Sequence, residues 1–350
     1  MKNISSQKNT RVNGEETAKC ATGAIFYEYA IIKNMNIPIT QSREWQKLQD
    51  DLGETNFFEK TDDYQYLAIL KSTPVGNYLY LPYGPVIKDK SSFKKALKSL
   101  QDLAASHHAI FIRIEPQNLE VIKSFPAKTF KSQDLNPKET WVLDLPKATK
   151  DDPLDNPILK AKLPSRLLRY YKNQQKNGLT IETSHDPKDI AHLLSLQKAL
   201  ADKKGISTFS EHYLATELSQ PFATLYLVKY TNPETKKSEV IAAGLVFDDK
   251  TTRYNLQGAQ NEQGKKLHAT GILTIELIKD AAKKNLKYFD FWGIAPDGAP
   301  SSHPWQGFTN FKKTFDGYEK TYAGDYDIIL QPAKYRLYQV LRKLHRFRIK

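Results

Sequence analysis

The residues best placed for chemistry close one run, Tyr288 to Lys313, which reads YFDFWGIAPDGAPSSHPWQGFTNFKK. Tyr288, Phe289, Phe291 and Trp292 form a buried-strand pattern that meets Gly293. A Pro/Gly/Ser loop and HPW then lead to a helix start carrying an aromatic–cation pair, Phe311 and Lys312. A strand emptying into a long aromatic-rich loop is a common way to build a site on a rigid scaffold. Taken alone, the pair also fits a core phenylalanine beside a surface lysine. A second charged constellation is Arg113 and Glu115, at spacing two on one face of the strand FIRIEP. They either face a charged substrate or pair with each other.

Other chemistries find little support. No GxxxxGK[ST] or GxGxxG occurs. Gln260 and Gly264 stand before a helix, where an acyl-CoA acetyltransferase places its pyrophosphate loop. Only one glycine precedes Lys265 and Lys266 there, which disfavours acetyl-CoA. His107 and His108 are adjacent and point in different directions, and His185 and His192 are separated by a strand end. No catalytic metal is expected from them. No nucleophile elbow supports a Ser-His-Asp reading. Cys20 is the only cysteine, which rules out a disulfide framework and a cysteine metal cluster.

The elements that must position these residues follow from patterning. At 350 residues, two domains are the better expectation. Helices are predicted at 42–52, 91–105 with Ser92 as cap, 158–177, 187–203, 268–284 and 333–347. Strands are predicted at 61–73, 76–87, 109–116, 141–146, 179–185, 224–230, 239–249, 251–259, 287–292 and 319–330. Pro74-Val75-Gly76 marks a hairpin. KDDPLDNP at 150–157 marks a boundary. Each half mixes helices with strand pairs, which suggests mixed sheets covered by helices and not an all-parallel array. No apolar run approaches the roughly 18 residues of a membrane span, and no signal peptide is read. Residues 1–34 are expected to form a poorly ordered tail, with a domain opening after Met35.

The net charge of +13 is localised. Lys160, Lys162, Arg166, Arg169, Lys172 and Lys176 occur within 160–176 without an acid. Lys334, Arg336, Arg342, Lys343, Arg346, Arg348 and Lys350 do so within 332–350. Such segments suit RNA, a phosphorylated substrate or an anionic membrane surface, or are solvated helix faces.

The stretch YFDFWGI…HPWQGFTNFKKTFDG…YAGDYDIIL…YRLY, 288–338, resembles the C-terminal signature of the FemABX family. These are aminoacyl-tRNA-dependent peptidyltransferases that extend peptidoglycan stem peptides. TQSREW (40–45), LYLPYGPV (79–86), FIRIEP (111–116) and the basic helix around 165–178 add to the resemblance, which covers about residues 37–340. It implies an α/β (mixed α+β) chain of two tandem GNAT-like acyltransferase domains, the first completed by the C-terminal segment. The expected division is 35–148 plus 326–350, and 149–325.

Aminoacyl transfer needs a deprotonated amine, whose unperturbed pKa is near ~10.4, and a cation aimed at the developing oxyanion. The resemblance assigns that role to Lys312, with Phe311 stacking on a terminal base or walling the channel. It places Glu115, with Arg113, near the acceptor, and Tyr254 and Tyr213 in the site. Two positions depart from the family pattern. Gln49 stands where a lysine would hold acceptor phosphate, with Lys47 nearby, and Phe209 stands for an arginine before Tyr213.

The sequence therefore predicts a cytoplasmic aminoacyltransferase, peripheral at the inner face of the plasma membrane and monomeric. Its co-substrate is aminoacyl-tRNA, and no other cofactor or metal is expected. Its acceptor is UDP-MurNAc-pentapeptide or a lipid-linked precursor. The 160–176 and C-terminal helices are expected to supply a phosphate-binding or membrane-facing surface. The alternatives are an N-acyltransferase using acyl-CoA or acyl-carrier protein, and a non-catalytic tRNA-binding protein.

Overall fold

Ser42 accepts a hydrogen bond from the Trp45 N–H and so starts α1 (Arg43–Asp51), which lays Trp45 and Leu48 into the core. The computed structural model describes residues 37–348 apart from 118, 127–128, 133–134 and 205–207, so the expected tail lies outside it. Four strands follow: β1 (Asn56–Lys60), β2 (Tyr64–Thr73), β3 (Gly76–Leu81) and β4 (Val86–Ile87). The expected hairpin is β2–β3, with Thr73 paired to Gly76. The single strand expected over 76–87 is broken, because Tyr83 adopts φ 51. Its second part, β4, turns back onto β2. Asp89, not Ser92, caps α2 (Lys90–Ser106), which buries Phe93, Ala96, Leu100 and Ala104.

Next come β5 (Phe111–Ile114), β6 (Thr129–Lys131) and β7 (Glu139–Asp144). Pro164, which lacks an N–H, splits the helix expected over 158–177 into α3 (Pro157–Lys162) and α4 (Ser165–Lys172). Gly178, at φ +72, then turns the chain into β8 (Leu179–Ser184). The remaining elements are α5 (Ile190–Lys204), α6 (Glu211–Leu218), β9 (Ala223–Thr231), β10 (Ser238–Asp248), β11 (Thr252–Gln260), α7 (Glu262–Lys266) and α8 (Ala269–Lys283). After them come β12 (Tyr288–Gly293), α9 (Gln306–Lys312), β13 (Tyr318–Thr321), β14 (Tyr326–Ile329) and α10 (Pro332–Arg348).

Among the described residues the strands form two seven-stranded mixed sheets. The first runs β1-β2-β3-β5-β14-β6 with β4 beside β2, and the second β13-β7-β12-β11-β10-β9-β8. In each, one parallel pair spans a crossover helix: β3 with β5 across α2, and β11 with β12 across α8. This bears out the expected pair of mixed sheets covered by helices. The halves exchange strands. β7, placed before the expected boundary at 148, pairs in the second sheet. The strand expected over 319–330 is two strands, since Gly324 at φ +78 separates β13 in the second sheet from β14 in the first.

Buried charges pin these joints. Arg113 on β5 grips Asp327 on β14 through two hydrogen bonds of 2.7 Å, and Tyr335 on α10 donates to the same carboxylate. Arg253 on β11 donates to Asp248 and to the Leu277 carbonyl, and lies 2.8 Å from Asp280, fixing α8 to the sheet. Gly271 lets α4 approach α8: a Cβ there would stand 2.6 Å from Leu167 Cδ2.

Candidate active site

The second sheet opens at β12. This strand pairs with β11 only through Tyr288, Phe289 and Asp290, and its register with β7 shifts between Asp290 and Gly293. Trp292 takes φ +67, an uncommon and costly conformation for a bulky side chain. Its ring meets Tyr254 edge-on at 6.1 Å and Tyr83 at 5.7 Å. Tyr83 comes from the first half, donates its hydroxyl to the Pro137 carbonyl at 2.8 Å and lies 4.5 Å from the Tyr322 ring. The opened strand therefore sits where the two halves meet, lined by aromatic rings from both.

Gly293 continues the turn. A Cβ at this position would stand 2.6 Å from Pro137 Cγ. Its carbonyl accepts a hydrogen bond of 2.6 Å from Lys312 Nζ, which also lies 5.0 Å over the Phe308 ring. The Phe–Lys pair is not at a helix start. HPW delays the helix to Gln306, so Phe311 and Lys312 occupy the last turn of α9. The negative end of the helix dipole suits a cation there.

Burial pushes the Lys312 ammonium down to about 8, against the opposing pull of Asp290. The same burial pushes the Asp290 carboxyl up to about 6. The Trp292 N–H, the charges of Lys320 and Lys312, and the Thr140 hydroxyl oppose that rise. Lys320 is likewise lowered by burial, and Tyr254 and Tyr322 are raised by burial and by nearby carboxylates. Strongly shifted groups gathered around one buried acid, Asp290, are a signature of function. This arrangement presents a partly desolvated cation, beside a buried acid, at the mouth of an opened strand.

The other predicted residues divide. Tyr254 lies within this group, its hydroxyl donating to Asp249 at 2.8 Å. Phe311 packs against the core of the second sheet, edge-on to Phe315 at 5.6 Å. Glu115 is buried, accepting from the Tyr80 hydroxyl, the Tyr83 N–H and Asn136. It fixes the strained Tyr83 turn from beneath. Arg113 does not pair with Glu115; its guanidinium is held by Asp327 and Ser132. Tyr213 lies on α6, stacked with the exposed Phe209 at 5.1 Å and one turn from the buried Glu217. Lys47 is solvent-exposed and pairs with Asp51, which also accepts from Gln220 on the far side of the α1–α6 contact. Gln49 is buried. Asp290, Trp292, Tyr83, Tyr322, Phe308 and Lys320 are absent from the sequence-based set. One of them carried a signal: an aspartate inside the apolar strand YFDFW.

The region expected of a CoA pyrophosphate loop has other uses. Gly264 is required by packing, since its Cβ would stand 2.5 Å from the Ile241 carbonyl oxygen. The Thr270 N–H at the start of α8 donates to Gln260 Oε1, and His268 stacks on Tyr170 at 4.3 Å.

Residues 215–343 match the family model described as the FemAB family. No curated protein matches this chain. Among solved structures, one titled the crystal structure of FemX is similar with a TM-score of 0.73 and 17% identity, covering 89% of this chain and 97% of that one. The C-terminal domain of a putative lysylphosphatidylglycerol synthetase from Agrobacterium fabrum gives 0.54 at 11% identity, covering 88% and 94%. L-PGS from Bacillus licheniformis gives 0.52 at 15% identity, covering 90% and 100%. The FemABX resemblance is thereby borne out over residues 215–343, and the likeness to these solved structures shows the fold.

Proposed function

We propose that this chain, whose residues 215–343 match the FemAB family, moves an aminoacyl group from aminoacyl-tRNA to the side-chain amine of a peptidoglycan stem-peptide precursor. One observation carries the reading. Lys312 presents a desolvated ammonium at the opened β12 strand, anchored on the Gly293 carbonyl and flanked by Asp290.

In this reaction the deprotonated amine attacks the ester carbonyl carbon. The new C–N bond forms as the carbonyl oxygen becomes an oxyanion. Lys312, still mostly protonated at pH 7 with its pKa near 8, stabilises that charge. Collapse breaks the ester C–O bond, and the departing ribose oxygen takes up the proton that the attacking nitrogen sheds. Burial strengthens the lysine's field, because the effective dielectric there is far below that of water.

Each remaining residue has a role consistent with its contacts. Phe311 positions Lys312 from the core side, while the partly exposed Phe308 offers its ring to a terminal base or substrate. Tyr254 and Trp292 wall the acyl site. Glu115 and Arg113 act at a distance, by fixing the Tyr83 turn and β14. The exposed Lys160, Arg166, Arg169 and Lys172, on helices beside the start of α8, hold tRNA phosphates. Lys47 and Tyr213 border the acceptor side. The reaction is cytoplasmic and monomeric, with charged tRNA as co-substrate and no metal.

The test supplies purified protein with individually charged tRNAs and either UDP-MurNAc-pentapeptide or its lipid-linked form. Mass spectrometry of the acceptor reads the result, and a mass gain of one aminoacyl residue is expected. Absence of transfer with every charged tRNA overturns the proposal. Thermal stabilisation by CoA would then favour the acyl-CoA reading, and tRNA binding alone the non-catalytic one.

A further inference from the structure

No helix among the described residues is long and apolar enough to cross a membrane. Helix α10 nevertheless exposes a row of large apolar side chains. Leu337 is 51% exposed, Val340 53%, Leu341 39% and Leu344 54%. Their spacing of three, four and seven places them on one stripe. The opposite face makes the tertiary contacts. Tyr335 is buried, edge-on to Phe111 at 5.2 Å, with its hydroxyl on Asp327, and Tyr338 lies 5.0 Å from the same Phe111 ring. Gln339 donates to the Tyr335 hydroxyl at 2.6 Å, and Arg342 to Ser132 Oγ at 3.4 Å. With about 100° per residue, the two stripes lie roughly half a turn apart.

The helix is thus clamped along one side by aromatic and hydrogen-bonded contacts, and the apolar stripe points away from them. Basic residues border the stripe, Lys334 on one flank and Arg336 and Lys343 on the other. Residues 332–350 hold seven basic residues and no acid. Phe130, 55% exposed on the edge strand β6, lies two residues from the Ser132 that Arg342 contacts.

We infer that α10 docks the protein on an anionic lipid bilayer, with Leu337, Val340, Leu341 and Leu344 entering the interfacial layer and the flanking basic side chains meeting lipid phosphates. An apolar stripe bordered by Lys and Arg on a polar helix is the pattern of an interfacial helix. RNA could neutralise the charges but would leave the leucines in water. A second copy could cover the leucines but would bring two sets of cations together. A negatively charged bilayer satisfies both features. The inference does not depend on which group accepts the acyl unit.

The experiment is co-sedimentation of the full chain with vesicles of phosphatidylcholine alone and of phosphatidylcholine mixed with phosphatidylglycerol. The chain is expected to bind the mixed vesicles much more strongly. L337Q/L341Q/L344Q should weaken that binding at least tenfold, and R336Q/K343Q by roughly fivefold for each charge removed. Both variants alter exposed side chains, so their melting temperatures and their transfer to a soluble acceptor should match wild type. The inference is overturned if the leucine variant binds mixed vesicles as wild type does. It is equally overturned if that variant instead loses tRNA binding, or converts a solution dimer to a monomer.

Discussion

Replacing Lys312 with Met tests the centre of the mechanism, because methionine keeps most of the apolar stem of the side chain while removing the charge and the N–H donor on the Gly293 carbonyl. Two independent effects follow. The first is kinetic. Removal of one donor from an oxyanion site costs about 10²–10³ in kcat, or roughly 2.7–4 kcal/mol. The second is thermodynamic and follows from burial. The folded lysine titrates near 8 instead of 10.5, so between those values the unfolded chain binds more protons than the folded one. Stability from this group therefore rises with pH across that window, and the full penalty is present below pH 8. At about 1.36 kcal/mol for each tenfold change in proton affinity, the rise amounts to about 3 kcal/mol. Lys312→Met lacks it. Denaturant unfolding of both proteins at pH 7.5 and pH 10.5 should show wild type gaining about 3 kcal/mol on the variant. Single-turnover transfer from charged tRNA should fall at least a hundredfold. The reasoning fails if transfer stays within tenfold of wild type, or if the stability difference is the same at both pH values.

Three further outcomes are expected. Arg113→Ala should destabilise the fold by about 3–5 kcal/mol, because it leaves Asp327 buried and unpaired. Weaker acceptor binding at unchanged stability would instead return Arg113 to the substrate. Gly293→Ala should cost about 1–3 kcal/mol and slow transfer at least tenfold, since its Cβ meets Pro137 and displaces the carbonyl that holds Lys312. A crystal structure showing that carbonyl unmoved would refute the link. Burial pushes the Glu217 carboxyl up to about 8, so the folded state holds its proton longer than the unfolded chain. Stability is then lost as pH rises from the ordinary carboxyl range through 8, by at most about 5 kcal/mol. Glu217→Gln should remove that loss, and identical melting curves at pH 6 and pH 9 for both proteins would contradict it.

Local pattern carries the fold where neighbours in sequence are neighbours in space. The continuous apolar runs of β9 and β10, the β-formers of β11 and the apolar length of α8 place those elements within a residue or two. The exceptions have particular causes. A periodicity argument reads 319–330 as one strand, because nothing local says that Gly324 sends its two parts to different sheets. Pro164 is a legible helix breaker inside the stretch read as one helix over 158–177. At the site, the Phe311–Lys312 pair is visible as residue types, but its last-turn position depends on HPW delaying the helix. Asp290 is visible as an acid in an apolar strand, yet its partners Thr140 and Lys320 lie in other strands. Spacing suggests Arg113 and Glu115 as a pair, whereas the true partner of Arg113 is 214 residues away. The φ of Trp292 is imposed by tertiary packing and has no local signature.

That long-range contact has a consequence for how the chain is made. The first sheet is interrupted between β5 and β6 until β14 is inserted, and β14 lies at Tyr326–Ile329. During synthesis, the amino-terminal half must wait with Arg113 unpaired while the second half is produced and its own sheet receives β7. Closure of the first sheet is then a late step with very large sequence separation, which slows folding. The halves should not survive separation into independent fragments, and a ribosome stalled before residue 326 should carry a protease-sensitive amino-terminal half.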